Sequence, residues 1–139
     1  NGGTLYRPNL IARIEAAGAA PEEILPPEIL WKIPLSAEHL VQIQASMNDV
    51  TSDLWGTATE EMAGLPITTA GKTGTAQTGG LDTISHSWFT GYAPAESAEI
   101  AITVLMENAG EGSAVAAPIF RRIVELYYGF EMTPYPWEQ

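Results

Sequence analysis

The octapeptide Ala70-Gly71-Lys72-Thr73-Gly74-Thr75-Ala76-Gln77 constrains this chain more than any other stretch. Pro66, Ile67, Thr68 and Thr69 precede it, so β-prone residues lead into a run with no helical period, and a strand is predicted over 67–77. In a strand alternate residues share a face, which puts Thr73 and Thr75 on one side and Lys72, Gly74 and Ala76 on the other. A ligand lying alongside meets hydroxyls, backbone N–H groups and, if its side chain curls over, an ammonium. Gly74 allows close approach to the main chain. This is equipment for an anionic or acyl ligand, particularly one carrying a carboxylate.

Gly71-Lys72-Thr73 also matches the end of a phosphate-binding P-loop. That pattern requires a glycine five residues before Gly71, where Pro66 stands, and a loop opening a helix, so it is rejected. The bland alternative is a Lys-Thr-Gly-Thr tetrapeptide arising by chance in an edge strand, and only its surroundings can decide.

Those surroundings predict an α+β chain, an antiparallel sheet meander packed against helices. Residues 1–35 are punctuated by Gly2-Gly3, Pro8, Gly18, Pro21, Pro26-Pro27 and Pro34. Short strands are expected at Leu10–Glu15 and Ile29–Ile33, with a loop over 16–27 between them. Ser36 reads as a helix N-cap, with Leu35 and Leu40 at the positions of a hydrophobic staple. Leu40, Ile43, Met47 and Val50 recur at helical spacing, predicting a helix from Ala37 to Asp53 with Met47 in the core. Gly56-Thr57-Ala58 turns the chain toward the motif strand.

Two more strands follow, Ser85–Ala93 and Ala98–Glu107, with turn-rich links at 78–82 and 94–97. Short links favour antiparallel pairing. The near-continuous apolar run Ile100–Met106 predicts cover on both faces. Pro118 opens a last helix with Ile119, Phe120, Ile123, Val124, Leu126 and Tyr127 apolar, Arg121 and Arg122 toward solvent, and Gly129 at the C-cap.

The 139 residues, 45% of them hydrophobic, suffice for one ordinary core. A formal net charge of −11 argues against nucleic acid and anionic membrane surfaces as partners, and against the same background Lys72 stands out. With no cysteine and two distant histidines, His39 and His86, neither metal nor cofactor is expected. No run approaches the ~20 apolar residues a membrane span needs, and no secretory signal is read.

The lysine-threonine-glycine box is one signature of penicillin-binding proteins and serine β-lactamases. Around it stand Asn1-Gly2-Gly3, Gly56-Thr57-Ala58, the run His86-Ser87-Trp88-Phe89-Thr90-Gly91-Tyr92-Ala93-Pro94, the strand end Glu107-Asn108 and the helix opening Gly112-Ser113-Ala114-Val115-Ala116-Ala117-Pro118. In order and spacing the chain resembles the C-terminal part of a bacterial penicillin-binding protein transpeptidase domain of the monofunctional class B type. The resemblance implies a partial penicillin-binding/β-lactamase-like transpeptidase fold, with residues 1–131 the C-terminal portion of the domain and 132–139 an aromatic, proline-broken tail.

The family's nucleophile is the serine of a Ser-x-x-Lys box. The only lysines here are Lys32 and Lys72, and three residues before them stand Ile29 and Thr69. Ser46-Met47-Asn48 formally fits the second, Ser-x-Asn, box but sits inside the predicted helix. The expectation is therefore a piece of a longer or nicked protein, inactive alone, whose nucleophile lies in the missing N-terminal part.

By resemblance Lys72 and Thr75 are catalytic, Lys72 in proton transfer and Thr75 through an oxyanion-hole N–H. Thr73, Gly74, Thr75 and Gln77 are substrate-binding, with the Thr73 and Thr75 hydroxyls on a carboxylate. Gln77, Trp88 and Tyr92 have weaker claims, and Trp88 and Tyr92 read as core aromatics. The implied partners are the D-Ala-D-Ala stem peptide of peptidoglycan and β-lactam antibiotics. The implied location is the extracytoplasmic face of the bacterial membrane, through an anchor outside this chain. A β-lactamase or β-lactam sensor, and a non-catalytic binding module, are the competing readings.

Overall fold

The computed structural model describes residues 1–11, 13–14, 23–24, 26–77, 79 and 83–135. The chain divides into two compact units, Asn1–Val41 and Gln42–Gln139.

The first unit holds two antiparallel ribbons. β1 (Thr4–Tyr6) pairs with β4 (Ile29–Lys32), and β2 (Arg13–Ile14) with β3 (Glu23–Ile24). Asn1 fastens the first turn, its Nδ2 donating to the Thr4 carbonyl at 2.7 Å. The β1–β4 register slips between Leu5 and Tyr6, beyond which the Arg7 N–H donates to the Glu28 carbonyl. The exposed Arg7–Glu28 ion pair, 2.6 Å, adds little in water. Leu5, Ile29 and Trp31 stay more than half exposed, so β1 and β4 bury little apolar surface. β4 realises the predicted strand 29–33, whereas of the strand expected over Leu10–Glu15 the described residues form only Arg13–Ile14, with Leu10 and Ile11 outside it. β3 falls where a loop was expected, because it gives β2 a partner. The rest of that stretch up to residue 25 lies outside the described residues.

α1 (Ala37–Ser52) starts where the sequence placed it: the His39 N–H donates to Ser36 Oγ at 3.2 Å, satisfying a free first-turn donor. Met47 is only half-buried, while Val50 reaches the core.

The second unit is built on a three-stranded antiparallel sheet in the order β5 (Ala70–Ala76), β6 (His86–Ala93), β7 (Ile100–Met106). It is the expected meander; most of the 78–82 link lies outside the described residues. α2 (Thr59–Met62) is a single turn, too short for any sequence period to reveal. One π turn, Gly112–Ala116, leads into α3 (Ala117–Tyr128), which Gly129 closes in the left-handed region at φ 70°.

The core lies between α3 and one sheet face. The rings of Phe89 and Phe120, both fully buried, stand 4.7 Å apart, with Ala93, Val104, Ala117 and Val124 around them. Their room comes from the cross-strand pair Gly71↔Gly91. A methyl at Gly71 would stand 2.5 Å from Phe89 Cζ, and one at Gly91 2.6 Å from the Ala70 carbonyl and 2.9 Å from Phe120 Cε2. The two missing side chains make the slot the rings fill.

Two expectations are corrected. β7 is covered on one face only: Val104 is buried, whereas Leu105 is 41% exposed and Ala101 and Thr103 are open. Among the described residues it is an edge strand, and α3 covers a single side. Arg121 does not point to solvent but is 7% exposed. Its Nε donates to Glu125 Oε1 and its Nη1 to the carbonyls of Glu61 and Ala63, each at 2.7 Å. Arg122 likewise donates to the Thr133 carbonyl.

The physical reason is that two chain segments bring unsatisfied backbone groups to this side of α3. The α2 end presents free carbonyls, and the segment after Gly129 returns so that Thr133 donates to Glu125 through both N–H and Oγ1. Burial alone would raise the Glu125 carboxyl, but hydrogen bonds from Arg121 and Thr133 and the Arg121 charge outweigh it and hold the pKa below the ordinary carboxylate range. Tyr135 packs here too, 8% exposed and beneath the Arg122 guanidinium, and burial pushes its phenol up to about 12. Residues 136–139 lie outside the described residues.

Candidate active site

Among the described residues β5 pairs only with β6, which leaves one edge of the motif strand free of strand partners. The register is unbroken from Ala70↔Tyr92 to Ala76↔His86. Directly paired residues share a face. Thr73 and Thr75 therefore stand beside Phe89 and Ser87 on the helix side, and Lys72 and Gly74 beside Thr90 and Trp88 on the open side. That is the alternation the sequence predicted.

The backbone adds what side-chain alternation cannot. The Thr69 carbonyl accepts from Asn48 Nδ2 at 2.8 Å and Thr51 Oγ1 at 2.6 Å, and the Thr73 carbonyl accepts from Lys72 Nζ at 2.7 Å. Both carbonyls therefore look to the free edge. Main-chain groups alternate with the same two-residue period, so the N–H and C=O of Thr75 share that edge. The Lys72 side chain starts on the open face and curls over it. An ammonium, a threonine hydroxyl and an unpaired strand edge meet along three residues.

The edge is braced from two directions. From α1, Asn48 and Thr51 hold Thr69. Beyond α1, the Gly56 N–H donates to the Asp53 carbonyl and the Ala58 N–H to the Val50 carbonyl, both at 2.9 Å. This tight turn delivers Thr57, whose Oγ1 lies 2.9 Å from Thr73 Oγ1. Gly56 is required there, since a Cβ would stand 2.3 Å from the Asp49 carbonyl. From behind, Gly112 packs on the Gly74–Trp88 pair so closely that a Cβ would stand 2.3 Å from the Trp88 carbonyl and 2.5 Å from that of Gly74. Ser87 clamps this turn, its Oγ donating to the Glu111 carbonyl and accepting from the Ala116 N–H. His86 Nδ1 accepts the Asn108 N–H at 2.9 Å just before it.

Of the residues singled out from sequence, Lys72, Thr73, Gly74 and Thr75 are thus brought together, and Gln77 lies exposed one residue beyond the strand. Trp88 is not a core aromatic: it is 36% exposed, because its position in the register faces away from α3. Tyr92 is half-buried, and burial pushes its phenol upward. Ser46-Met47-Asn48 lies within α1, where Ser46 is exposed and the Asn48 amide is engaged with Thr69. Sequence reasoning missed Thr57 as a site neighbour and Gly112 as its support. Their only signals were membership of the Gly56-Thr57-Ala58 turn and of the glycine-led helix opening. Among the described residues no three His, Asp or Glu side chains converge as metal ligands, and no helix is long and apolar enough to cross a membrane.

Residues 1–125 match the family described as the penicillin binding protein transpeptidase domain. The chain is 34% identical to the peptidoglycan D,D-transpeptidase MrdA of Haemophilus influenzae, over 91% of this chain and 21% of that protein. It is similar to the imipenem acyl-enzyme complex of penicillin-binding protein A from M. tuberculosis, with a TM-score of 0.72 and 28% identity, covering 92% of this chain and 28% of that one. Penicillin-binding protein 2B from Streptococcus pneumoniae shares the fold, with a TM-score of 0.81 at 22% identity over 97% of this chain and 23% of that one. The chain spans about a fifth to a quarter of the length of the curated relatives it matches. A match over residues 1–125 shows that the chain belongs to the penicillin-binding protein transpeptidase domain family.

Proposed function

We propose that this chain is part of a serine-type peptidoglycan D,D-transpeptidase and supplies the Lys72–Thr75 wall of its active site. Residues 1–131 are the C-terminal portion of the transpeptidase domain, and 132–139 a tail. A serine outside these residues attacks the penultimate D-Ala carbonyl of a stem peptide. The terminal D-Ala leaves with a proton as the acyl-enzyme forms. An amine of a neighbouring stem then takes the acyl group and the serine regains its proton. β-Lactams enter as substrate mimics whose ring opens on the same serine.

In this reading Lys72 raises the local potential and serves the proton-transfer network, which is stronger in a water-poor cleft. The Thr75 N–H donates to the developing oxyanion, an interaction worth about 3–4 kcal/mol when one such donor is removed from another serine hydrolase. The Thr73 and Thr75 hydroxyls bind the terminal carboxylate, Gly74 admits the ligand to the backbone, and Gln77, exposed one residue beyond β5, contacts the substrate. The site faces the extracytoplasmic side of the cell membrane, held there by an anchor outside this chain.

The observation carrying this reading is the Lys72 ammonium curled onto the free edge of β5, 2.7 Å from the Thr73 carbonyl, in a chain of this family. Fluorescent-penicillin labelling with intact mass analysis tests it, on the longest natural form of the protein and on anything that co-purifies. Covalent label on a serine outside these residues, lost by orders of magnitude in Lys72→Ala and released over hours, is the expected result. Unchanged labelling in Lys72→Ala refutes the role of Lys72. Release within seconds would make the protein a β-lactamase.

A further inference from the structure

We propose that Thr57 is a positioning residue for the ligand carboxylate, acting through Thr73; the proposal rests on the transpeptidase reading above. Thr57 Oγ1 and Thr73 Oγ1 are 2.9 Å apart, and either can be the donor in the free chain. A threonine hydroxyl carries one proton and two lone pairs, whereas a carboxylate only accepts. Once a carboxylate sits on Thr73, the Thr73 proton belongs to the ligand. The Thr57–Thr73 bond then has a single direction open to it, with Thr57 donating and Thr73 accepting. Thr57 thereby sets Thr73 as a donor aimed at the ligand, in a chain of hydrogen bonds that polarise one another toward a charged acceptor.

The backbone around Thr57 is built to hold this geometry. Gly56 and Ala58, its two neighbours, both donate into the end of α1 and the turn that follows it, at 2.9 Å each. The same end of α1 grips Thr69 through Asn48 and Thr51. Thr57 and the motif strand are therefore tied to one helix end, and the hydroxyl pair is formed before any ligand arrives. Thr57 itself is exposed, so its side chain is not there to fill the core.

The test is the second-order acylation rate of the full-length protein with benzylpenicillin and with its methyl ester, which lacks the carboxylate. Thr57→Val and Thr57→Ala are expected to lose about three- to tenfold with benzylpenicillin, the usual worth of one such hydrogen bond, and nothing with the ester. Thr57→Ser is expected to restore the rate, and Thr57→Val to add no further loss in a Thr73→Val background. An equal loss with acid and ester, an additive loss on top of Thr73→Val, or no loss at all would each overturn the proposal. A wild-type protein acylated by neither compound would overturn the transpeptidase reading itself, and this inference with it.

Discussion

Gly112→Ala probes the contact that backs the motif strand. The added methyl would stand 2.3 Å from the Trp88 carbonyl oxygen, 2.5 Å from the Gly74 carbonyl oxygen and 2.9 Å from the Gly74 nitrogen. All three are main-chain atoms of a paired position in the sheet, so no flexible side-chain end can give way. Ordinary contact between such atoms needs about 3.5 Å, so the π turn and the β5–β6 pair must part by about 1 Å. Overpacking typically costs about 1–3 kcal/mol, and three simultaneous backbone contacts argue for the upper end, about 3 kcal/mol. For a unit of about a hundred residues each kcal/mol moves the melting midpoint by about 4–8 °C, so a drop of at least about 12 °C is expected. In protein that still folds, moving Gly74 and Thr75 by that distance should slow penicillin acylation by about a hundredfold. Thermal unfolding and acylation kinetics read the two effects. Ala114→Ser, at an exposed position of the same turn, controls for the turn itself and should change neither. A Gly112→Ala protein within about 2 °C and about twofold of wild type would refute the steric argument.

Glu125→Gln should destabilise the protein at neutral pH by about 3 kcal/mol, because it leaves the buried Arg121 guanidinium without its counter-charge. The folded-state carboxyl lies below its unfolded value, so its contribution is full above about pH 4.3 and is lost as pH falls through the folded pKa. Urea titrations over an acidic pH series should therefore show a steeper loss of stability in wild type than in Glu125→Gln, and parallel profiles would contradict the assignment. Ser46→Ala should leave penicillin acylation unchanged, since the formal Ser-x-Asn match lies on α1 with Asn48 engaged as a clamp; a large loss would restore it as a site. Asn48→Ala should instead lower the melting midpoint, by the equivalent of about 1 kcal/mol, the worth of one hydrogen bond.

Much of α1 and of the second unit was legible in the sequence because it is governed by local rules. Ser36 and Gly129 marked two helix ends by capping chemistry that needs only neighbours, and the helix and strand periods located α1, α3 and β5 to β7 within a few residues. The site strand was legible for a different reason: Lys72, Thr73, Gly74 and Thr75 are contiguous, so one motif carries the whole cluster. What escaped was non-local. Arg121 looks like a surface arginine until the carbonyls of Glu61 and Ala63 arrive from 58 to 60 residues away. The run Ile100–Met106 looks covered on both sides until α3 is found, among the described residues, on one face alone. Trp88 looks like core until the register turns it outward.

The sequence by itself determined the types of α1, α3 and β5 to β7, the antiparallel meander and the family, because caps, periods, short links and a contiguous motif are read along the chain. Only the tertiary structure decided which groups serve the motif strand: that Lys72 curls onto the free edge, that Thr57 meets Thr73 across 16 residues, and that Gly112 presses on Gly74 from 38 residues away. No local pattern encodes those meetings, because each depends on strand register and on how closely one backbone can approach another. Both are properties of the packed sheet, set by the glycines that leave room and by the burial that makes closing it favourable.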